Sequence, residues 1–465
     1  MRALVSSRRV VVAALTVASI ASVAPAQTPS ATANPANPAV RLDAAKRGAV
    51  IDTLAARLRR HYVDADTGAL IADRVRARLT AGAYDTITSP ARFAEALTVD
   101  LRSVNDDRHL NVTYNPGNRG LRPGPEGIRM GRLPRTLPPV GPPPTGPGGD
   151  AQRRSNYALG RIDVLPGNVG YFDIRGFSGA AAVVGAVKSA LEYLQGTDAI
   201  IFDLRRNGGG SPFSVNLIIS HFTTGDTLPS LTVKSRSANE TFTRYTFAAV
   251  PGPRRPTVPL YVLTSGATAS AGEDFTFVLK NMKRATIVGA TTAGAGHNNA
   301  NLDLGEGFNA SVSFTRVTDP KTGAEWERIG VTPDVPVDQA RALDVAHALA
   351  VKTIAASESD PRRRRVLELT QEAIEAQALP RSVPAATLAS YAGTYAGGRT
   401  VALDRSVLTY SPRPGAPPEP LIPLGSSTFA FNSVFRLTFD RDGDGRVRLR
   451  AAPPEGEALT YARVR

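Results

Sequence analysis

The chain contains no cysteine, one tryptophan, three methionines and five histidines. With no thiol there are no disulfides, no thiolate metal sites, no cysteine nucleophile and no lipid-modified cysteine at a processed N-terminus. Lysine is also scarce. Only Lys46, Lys188, Lys234, Lys280, Lys283, Lys321 and Lys352 occur, and none has a serine three positions before it, so a Ser-x-x-Lys lactamase-type site is absent. The sequence likewise has no Gly-x-x-x-x-Gly-Lys phosphate loop, no zinc-binding His-Glu-x-x-His and no Gly-x-Ser-x-Gly elbow. Long apolar runs are missing beyond Val10 to Val23, which is short for a membrane span of ~20 residues.

What is present is ample for folding. The 465 residues are 42% hydrophobic, enough for buried cores, and at ~150 residues per domain suggest about three domains. The formal charge of +14 comes mostly from arginines spread along the chain. Such spacing predicts an arginine-rich surface and no nucleic-acid partner. Residues 1–26 read as a secretory signal, with Arg2, Arg8 and Arg9 before the apolar run and Ala24-Pro25-Ala26 at the cleavage point. The expected location is therefore the periplasm or medium, with no transmembrane segment after cleavage.

Beyond a lead-in over residues 27–40, three amphipathic helices are expected in a helical subdomain, residues 40–112. Val50, Leu54, Leu58 and Tyr62 repeat every four residues. Ile71, Val75 and Leu79 mark a second helix, and Phe93, Leu97, Leu101 and Val104 a third opened by Ser89-Pro90. Residues 113–155 turn to Pro and Gly and predict an extended linker with neither ladder nor helix. Residues 156–350 alternate strands and helices in a βαβ pattern, an α/β core with right-handed crossovers expected. Residues 386–465 carry short β-prone runs between turns, predicting a small all-β domain. In it, Asp440-Arg441-Asp442-Gly443-Asp444-Gly445 resembles a calcium loop, but Ala451 stands where a bidentate Glu is needed, so a hairpin turn is the better reading.

Two segments of the core can carry chemistry. Asp203-Leu204-Arg205-Arg206-Asn207-Gly208-Gly209-Gly210 follows a strand apolar on both faces, and successive glycines let N–H groups converge on an anion. Leu263 to Phe275 turns from strand to helix at Ser270, where free N–H groups and the helix dipole favour negative charge. That suits a nucleophile beside an oxyanion hole. Ser270-Ala271-Gly272-Glu273 is equally a capping box, and the glycines equally a tight turn.

Taken together, Asp203-x-Arg205-x-Asn207-x-Gly209-Gly210, Ser270-Ala271-Gly272-Glu273-Asp274-Phe275, Arg284 to Gly289, Thr291 to Gly296, Trp326-Glu327-x-x-Gly330-Val331-x-Pro333-Asp334 and, upstream, Asp106-Asp107-Arg108-His109-Leu110 resemble the C-terminal processing (tail-specific) serine peptidases. The likeness is to the branch near the tricorn core and interphotoreceptor retinoid-binding protein, and runs over roughly residues 40 to 350. It implies a ClpP/crotonase-like core of ββα units and a serine peptidase acting on peptide or protein substrates, with no cofactor and no metal. By that resemblance Ser270 is the nucleophile, and the N–H groups of Ala271 and of a glycine in the run Gly208, Gly209, Gly210 form the oxyanion hole.

The tail-specific branch takes its base from a lysine, but Ala295 occupies that place, so a Ser/Lys dyad is not expected. The tricorn-like branch takes a histidine from the N-terminal part, which His109 matches; His297 is the runner-up. His61, His221 and His347 lie in helical patterns and are expected to pack. Glu327 is the expected acid behind the imidazole, with Glu325 next. The chain departs from the branch at Arg108, where a serine precedes the histidine, and it lacks room for a PDZ module. A silent relative binding an apolar ligand or peptide in the same cleft is the alternative.

Overall fold

The amphipathic repeats fold as their spacing requires. In the computed structural model, α1 (Ala44–His61), α2 (Ala65–Thr80) and α3 (Pro90–Asn105) are capped by Asp43, Asp64 and Ser89. The described residues are 41–464 without 118, 134–135 and 138–144; the signal segment, the lead-in and part of the Pro-rich stretch lie outside them. Asp106 ends α3 in the left-handed region at φ 51°, which turns the chain sharply into β1 (Asn111–Tyr114).

Beyond the linker run α4 (Gly146–Arg154), β2 (Leu159–Leu165), β3 (Val169–Ile174), α5 (Val183–Tyr193), β4 (Ala199–Asp203), α6 (Pro212–Ser220), β5 (Pro229–Ser235) and β6 (Glu240–Tyr245). Next come β7 (Leu260–Thr264), α7 (Ala271–Asn281), β8 (Ala285–Gly289), β9 (Asn298–Gly305), β10 (Phe308–Thr318), β11 (Val335–Pro336), α8 (Ala342–Ser357) and α9 (Pro361–Ala378). One sheet has the order β11-β8-β7-β4-β3-β2, parallel except for β2. Its strands β3, β4 and β7 are buried along their length because helices cover both faces. A second, antiparallel sheet runs β1-β10-β5-β6, with β9 also on β10.

The three expected helices share their core with the antiparallel sheet: Val50, Leu54, Leu58, Ile71, Phe93 and Leu97 pack with Leu302, Phe308, Ala310 and Val312 of β9 and β10. Three short helices each present one apolar stripe, and the sheet supplies the missing cover. The linker, in turn, does hold regular structure. α4 forms because its proline falls in the first turn, where no amide is required. Ile128 is buried in the helix–sheet core, and its carbonyl accepts from the Ser235 hydroxyl at 2.9 Å.

After α10 (Ala385–Tyr391), the tail forms two antiparallel sheets. The first holds β12 (Gly393–Tyr395), β13 (Arg399–Asp404), β14 (Val407–Ser411) and β15 (Glu419–Pro420). The second holds β16 (Ile422–Pro423), β17 (Thr428–Phe431), β18 (Phe435–Arg441), β19 (Val447–Ala452) and β20 (Leu459–Ala462). A common core of Tyr395, Leu408, Tyr410, Phe429, Leu437 and Leu449 joins them. The acidic Asp440–Gly445 stretch is the β18–β19 hairpin turn, closed by Asp442 Oδ1, which accepts from the amides of Asp444 and Arg446. Among the described residues no helix is long and apolar enough to cross a membrane.

Candidate active site

Three loops leave the carboxyl ends of β4, β7 and β8, where open α/β sheets place their ligands. Leu204 to Gly210 is sewn to the Ser265–Ser270 loop. The Thr268 hydroxyl donates to Leu204 O at 2.7 Å, the Ser265 hydroxyl to Arg205 O at 2.7 Å, and the Ala269 amide to Asn207 O at 2.9 Å. The Ala293 amide then donates to Thr268 O at 2.9 Å, which brings in the third loop. The Asp-x-Arg-x-Asn signature is the frame of this assembly. Asp203 accepts from Arg205 and from the Tyr171 hydroxyl, and Asn207 donates from Nδ2 to Ile174 O while its Oδ1 accepts from the Gly209 amide.

Ser270 sits immediately before α7 at φ 52°, ψ −118°, a conformation that L-residues seldom adopt. A Cβ on Gly209 would come 2.8 Å from Ser270 Cβ, and one on Gly210 only 2.2 Å from Phe177 O. Both glycines also have φ in the left-handed range, so the close approach of the two loops depends on them. The Gly209 amide is already committed to Asn207 Oδ1, which removes it from the expected oxyanion donors. The amides of Ala271, Gly208 and Gly210 have no intramolecular acceptor among the described residues. Of these, Ala271 and Gly210 line the cleft onto which Ser270 opens.

Glu273 does far more than close a capping box. Its carboxylate is buried and accepts from the amides of Ser270 (2.9 Å), Gly294 (2.6 Å) and Ala295 (2.8 Å) and from the Thr292 hydroxyl (2.6 Å). Burial raises its pKa, and these four donors oppose that shift. The nucleophile candidate and the glycine loop thus share one anchor. Ala295, at the place of the alternative lysine base, is buried.

Upstream, the turn after α3 brings Asp107 and His109 to the same region through the pairing of β1 with β10. Asp107 is fully buried and accepts from the Tyr62 hydroxyl at 2.9 Å and from the His109 amide at 2.9 Å. Burial would raise its pKa, but the polar groups of His297, Ser313 and Tyr62 around it outweigh this and bring it down to about 2. His109 is half-buried, with Nδ1 buried and unpartnered, and burial lowers its pKa against the attraction of Asp107.

The structure brings Glu327 to His297. Glu327 Oε2 accepts from the amides of Gly296 (2.6 Å) and His297 (2.9 Å) and lies 3.6 Å from His297 Nδ1; Asp107 Oδ2 lies 3.9 Å from the same nitrogen. Burial raises the pKa of Glu327; the charge of His297 counters this and that of Asp107 adds to it. No hydrogen bond or ion pair joins Glu327 to His109 among the described residues. Glu325 pairs with Arg316 at 3.3 Å instead. His297 lines the cleft with Ser270, Ala271, Gly210, Met130, Val233, Val317 and Trp326, whereas His109 is not among the lining residues. His61, His221 and His347 belong to α1, the end of α6 and α8.

One feature of the cleft had no signal in the sequence. Arg244 of β6 meets Asp274 in a buried two-pronged pair, with Nη1 to Oδ2 at 2.7 Å, four residues beyond Ser270. Strand β6 is remote in sequence, and only the sheet brings it there.

Comparison with known proteins finds similarity over two regions of the chain. Residues 168–337 match peptidase family S41, and residues 39–139 match the N-terminal domain of Peptidase_S41 in eukaryotic IRBP. Over these two regions the chain is thus similar to the S41 peptidases. It is 30% identical over 190 residues to carboxyl-terminal-processing peptidase 2, chloroplastic, of Arabidopsis thaliana, covering 39% of this chain and 35% of that protein. It is 32% identical over 180 residues to a carboxyl-terminal-processing protease of Synechocystis, covering 38% and 40%. The matched region is therefore well under half of these relatives. Among solved structures, the photosystem II D1 C-terminal processing protease aligns over 63% of this chain and 93% of its own, at TM-score 0.39 and 19% identity. A lipoprotein from Streptococcus agalactiae aligns over 66% and 96%, at TM-score 0.46 and 15% identity.

Proposed function

We propose that this protein is an exported serine peptidase in which Ser270 attacks the scissile carbonyl and His109 takes its proton. The observation that carries the reading is Ser270 itself, held at positive φ at the head of α7, with the unpaired Ala271 amide beside it and a cleft in front. Strain of ~1–3 kcal/mol at one residue persists only where the surroundings impose it; Glu273, which holds the Ser270 amide, imposes it here.

The cycle follows from the groups present. Ser270 Oγ bonds to the carbonyl carbon as its proton passes to the imidazole, and the amides of Ala271 and Gly210 receive the oxyanion. The C–N bond then breaks, the imidazole returns the proton to the leaving amine, and water hydrolyses the acyl-enzyme by the same route. A base must be neutral to act, and burial keeps His109 so near pH 7. Glu327 would act on the imidazoles through His297, whose charge is felt at His109. The wall of Met130, Val233, Val317 and Trp326 suits an apolar side chain of the substrate.

A second reading makes His297 the base, favoured by its place on the cleft wall. Labelling with a fluorophosphonate, together with peptide hydrolysis, tests both. The first reading expects labelling of Ser270 that is lost in S270A and falls sharply in His109→Ala, with a smaller effect in His297→Ala. The reverse order favours the second. Hydrolysis unchanged in S270A overturns both.

A further inference from the structure

Most buried carboxylates of this chain are met by arginine. Asp274 is paired with Arg244, Asp203 with Arg205, Asp173 with Arg175 and Arg206, and Asp100 with Arg74 and Arg78. Glu273 lacks a cation but has four donors. Asp107 and Glu327 differ. Among the described residues their ion pairs are with His297 alone. Glu327 Oε1 and both ring nitrogens of His297 are buried without a hydrogen-bond partner. Two carboxylates and an imidazole, 0%, 9% and 7% exposed, thus converge with unused lone pairs, their ligand atoms all within 4.8 Å of one another. Leaving such groups unpaired in a protein interior is costly.

We infer that Asp107, His297 and Glu327 form a binding site for a divalent transition-metal ion of the zinc type, and that its occupation switches the peptidase off. One imidazole with two carboxylates is a donor set for zinc, which commonly takes three protein ligands and a water. With bonds of about 2.0–2.2 Å, neighbouring ligand atoms stand roughly 3.3–3.6 Å apart. The 3.6 Å between His297 and Glu327 already fits, and Asp107 at 3.9 Å needs to close by a few tenths of an ångström. The ligands are braced from behind, as metal ligands usually are. The Tyr62 hydroxyl and the His109 amide hold Asp107, and the amides of Gly296 and His297 hold Glu327. Entry is from the cleft, because His297 forms part of its wall. An ion bound there neutralises Asp107 and puts positive charge beside the His109 imidazole, which has to take up the serine proton during attack, so hydrolysis falls until the ion is removed. The inhibition rests on the peptidase reading; the binding does not.

The test uses the full chain carrying S270A, stripped with a chelator, and titrates zinc against a chromophoric chelator. The expected result is one zinc per chain at micromolar affinity or tighter, at least tenfold weaker in Glu327→Gln or Asp107→Asn and lost in His297→Ala, each variant checked for an unchanged melt. Cobalt in the unsubstituted chain gives a measurement that depends on no variant, namely the visible bands of a low-coordinate His/carboxylate site. No zinc uptake, zinc bound equally by wild type and His297→Ala, or absence of those cobalt bands overturns the site. Zinc bound as expected by a chain that hydrolyses nothing keeps the site and removes the peptidase reading. Hydrolysis that persists at saturating zinc in a zinc-loaded chain overturns the switch.

Discussion

At Ser270 the side chain and the backbone conformation make separate demands. S270A should reduce hydrolysis by on the order of 10⁴-fold or more while keeping the fold, at a cost of no more than about 1 kcal/mol for the lost cap of α7. Ser270→Gly should be equally inactive yet melt higher than S270A, because glycine adopts φ 52° without strain. Differential scanning calorimetry of the two variants side by side decides it, and equal melting would count against a strained nucleophile. For the imidazole the pH dependence is the signature. A base whose pKa is lowered by burial stays neutral into mild acid, so the acid limb of kcat/KM should lie below the ordinary histidine value of 6.5. A pH–rate profile on a neutral peptide substrate shows this directly.

Among loops and elements, Glu273 is the pivot. Its four donors come from Ser270 and from the Thr292–Ala295 loop, so one carboxylate sets the distance between the nucleophile and the opposite wall of the cleft. Glu273→Ala should leave four buried donors unpaired, lower the melting temperature and reduce turnover more than substrate affinity. Thermal melts and steady-state kinetics on the same sample separate the two effects. Gly209→Ala carries a steric penalty of another kind. Its methyl would meet Ser270 Cβ at 2.8 Å, at a backbone φ of 116° that alanine avoids. Loss of labelling at Ser270 with the global melt retained is the expected outcome.

Across the whole molecule, one core joins the first three helices to β9 and β10. Phe308, fully buried where Phe93 and Tyr114 meet it, ties these parts together. Phe308→Ala should cost about 3–5 kcal/mol and destabilise the helices and the sheet in one transition, visible as coincident melts by circular dichroism and tryptophan fluorescence. Stability should also depend on pH. Burial lowers the pKa of His61, His109, His221 and His347, that of His61 to about 4. Unfolded, these groups take up protons near 6.5, and folded only at lower pH, so acidification from 6.5 towards 4 favours the unfolded chain. Glu273 and Glu327, with raised pKa values, act in the opposite sense, gaining stability as pH falls through their folded pKa towards 4.5. With four groups against two, the melting temperature should fall between pH 6.5 and pH 5, and less steeply in His61→Leu; a rise over that interval would contradict the burial argument.

What could be read locally was read from local physics. The heptad-like stripes of α1–α3, the doubly buried strands β3 and β4, the β18–β19 turn and the strand-to-helix corner at Ser270 follow from periodicity, caps and turn residues within one window of chain. Tertiary structure decided what depends on long-range pairing. It set Glu327 against His297 and Asp107, Arg244 against Asp274, and the linker against the sheet that completes the helical core. Hydrogen-bond direction decided the rest, turning the Gly209 amide toward Asn207 and making Glu273 a four-donor anchor. Short-range periodicity fixes which face of an element is apolar, but which charges meet is settled only when strands distant in sequence are brought into register.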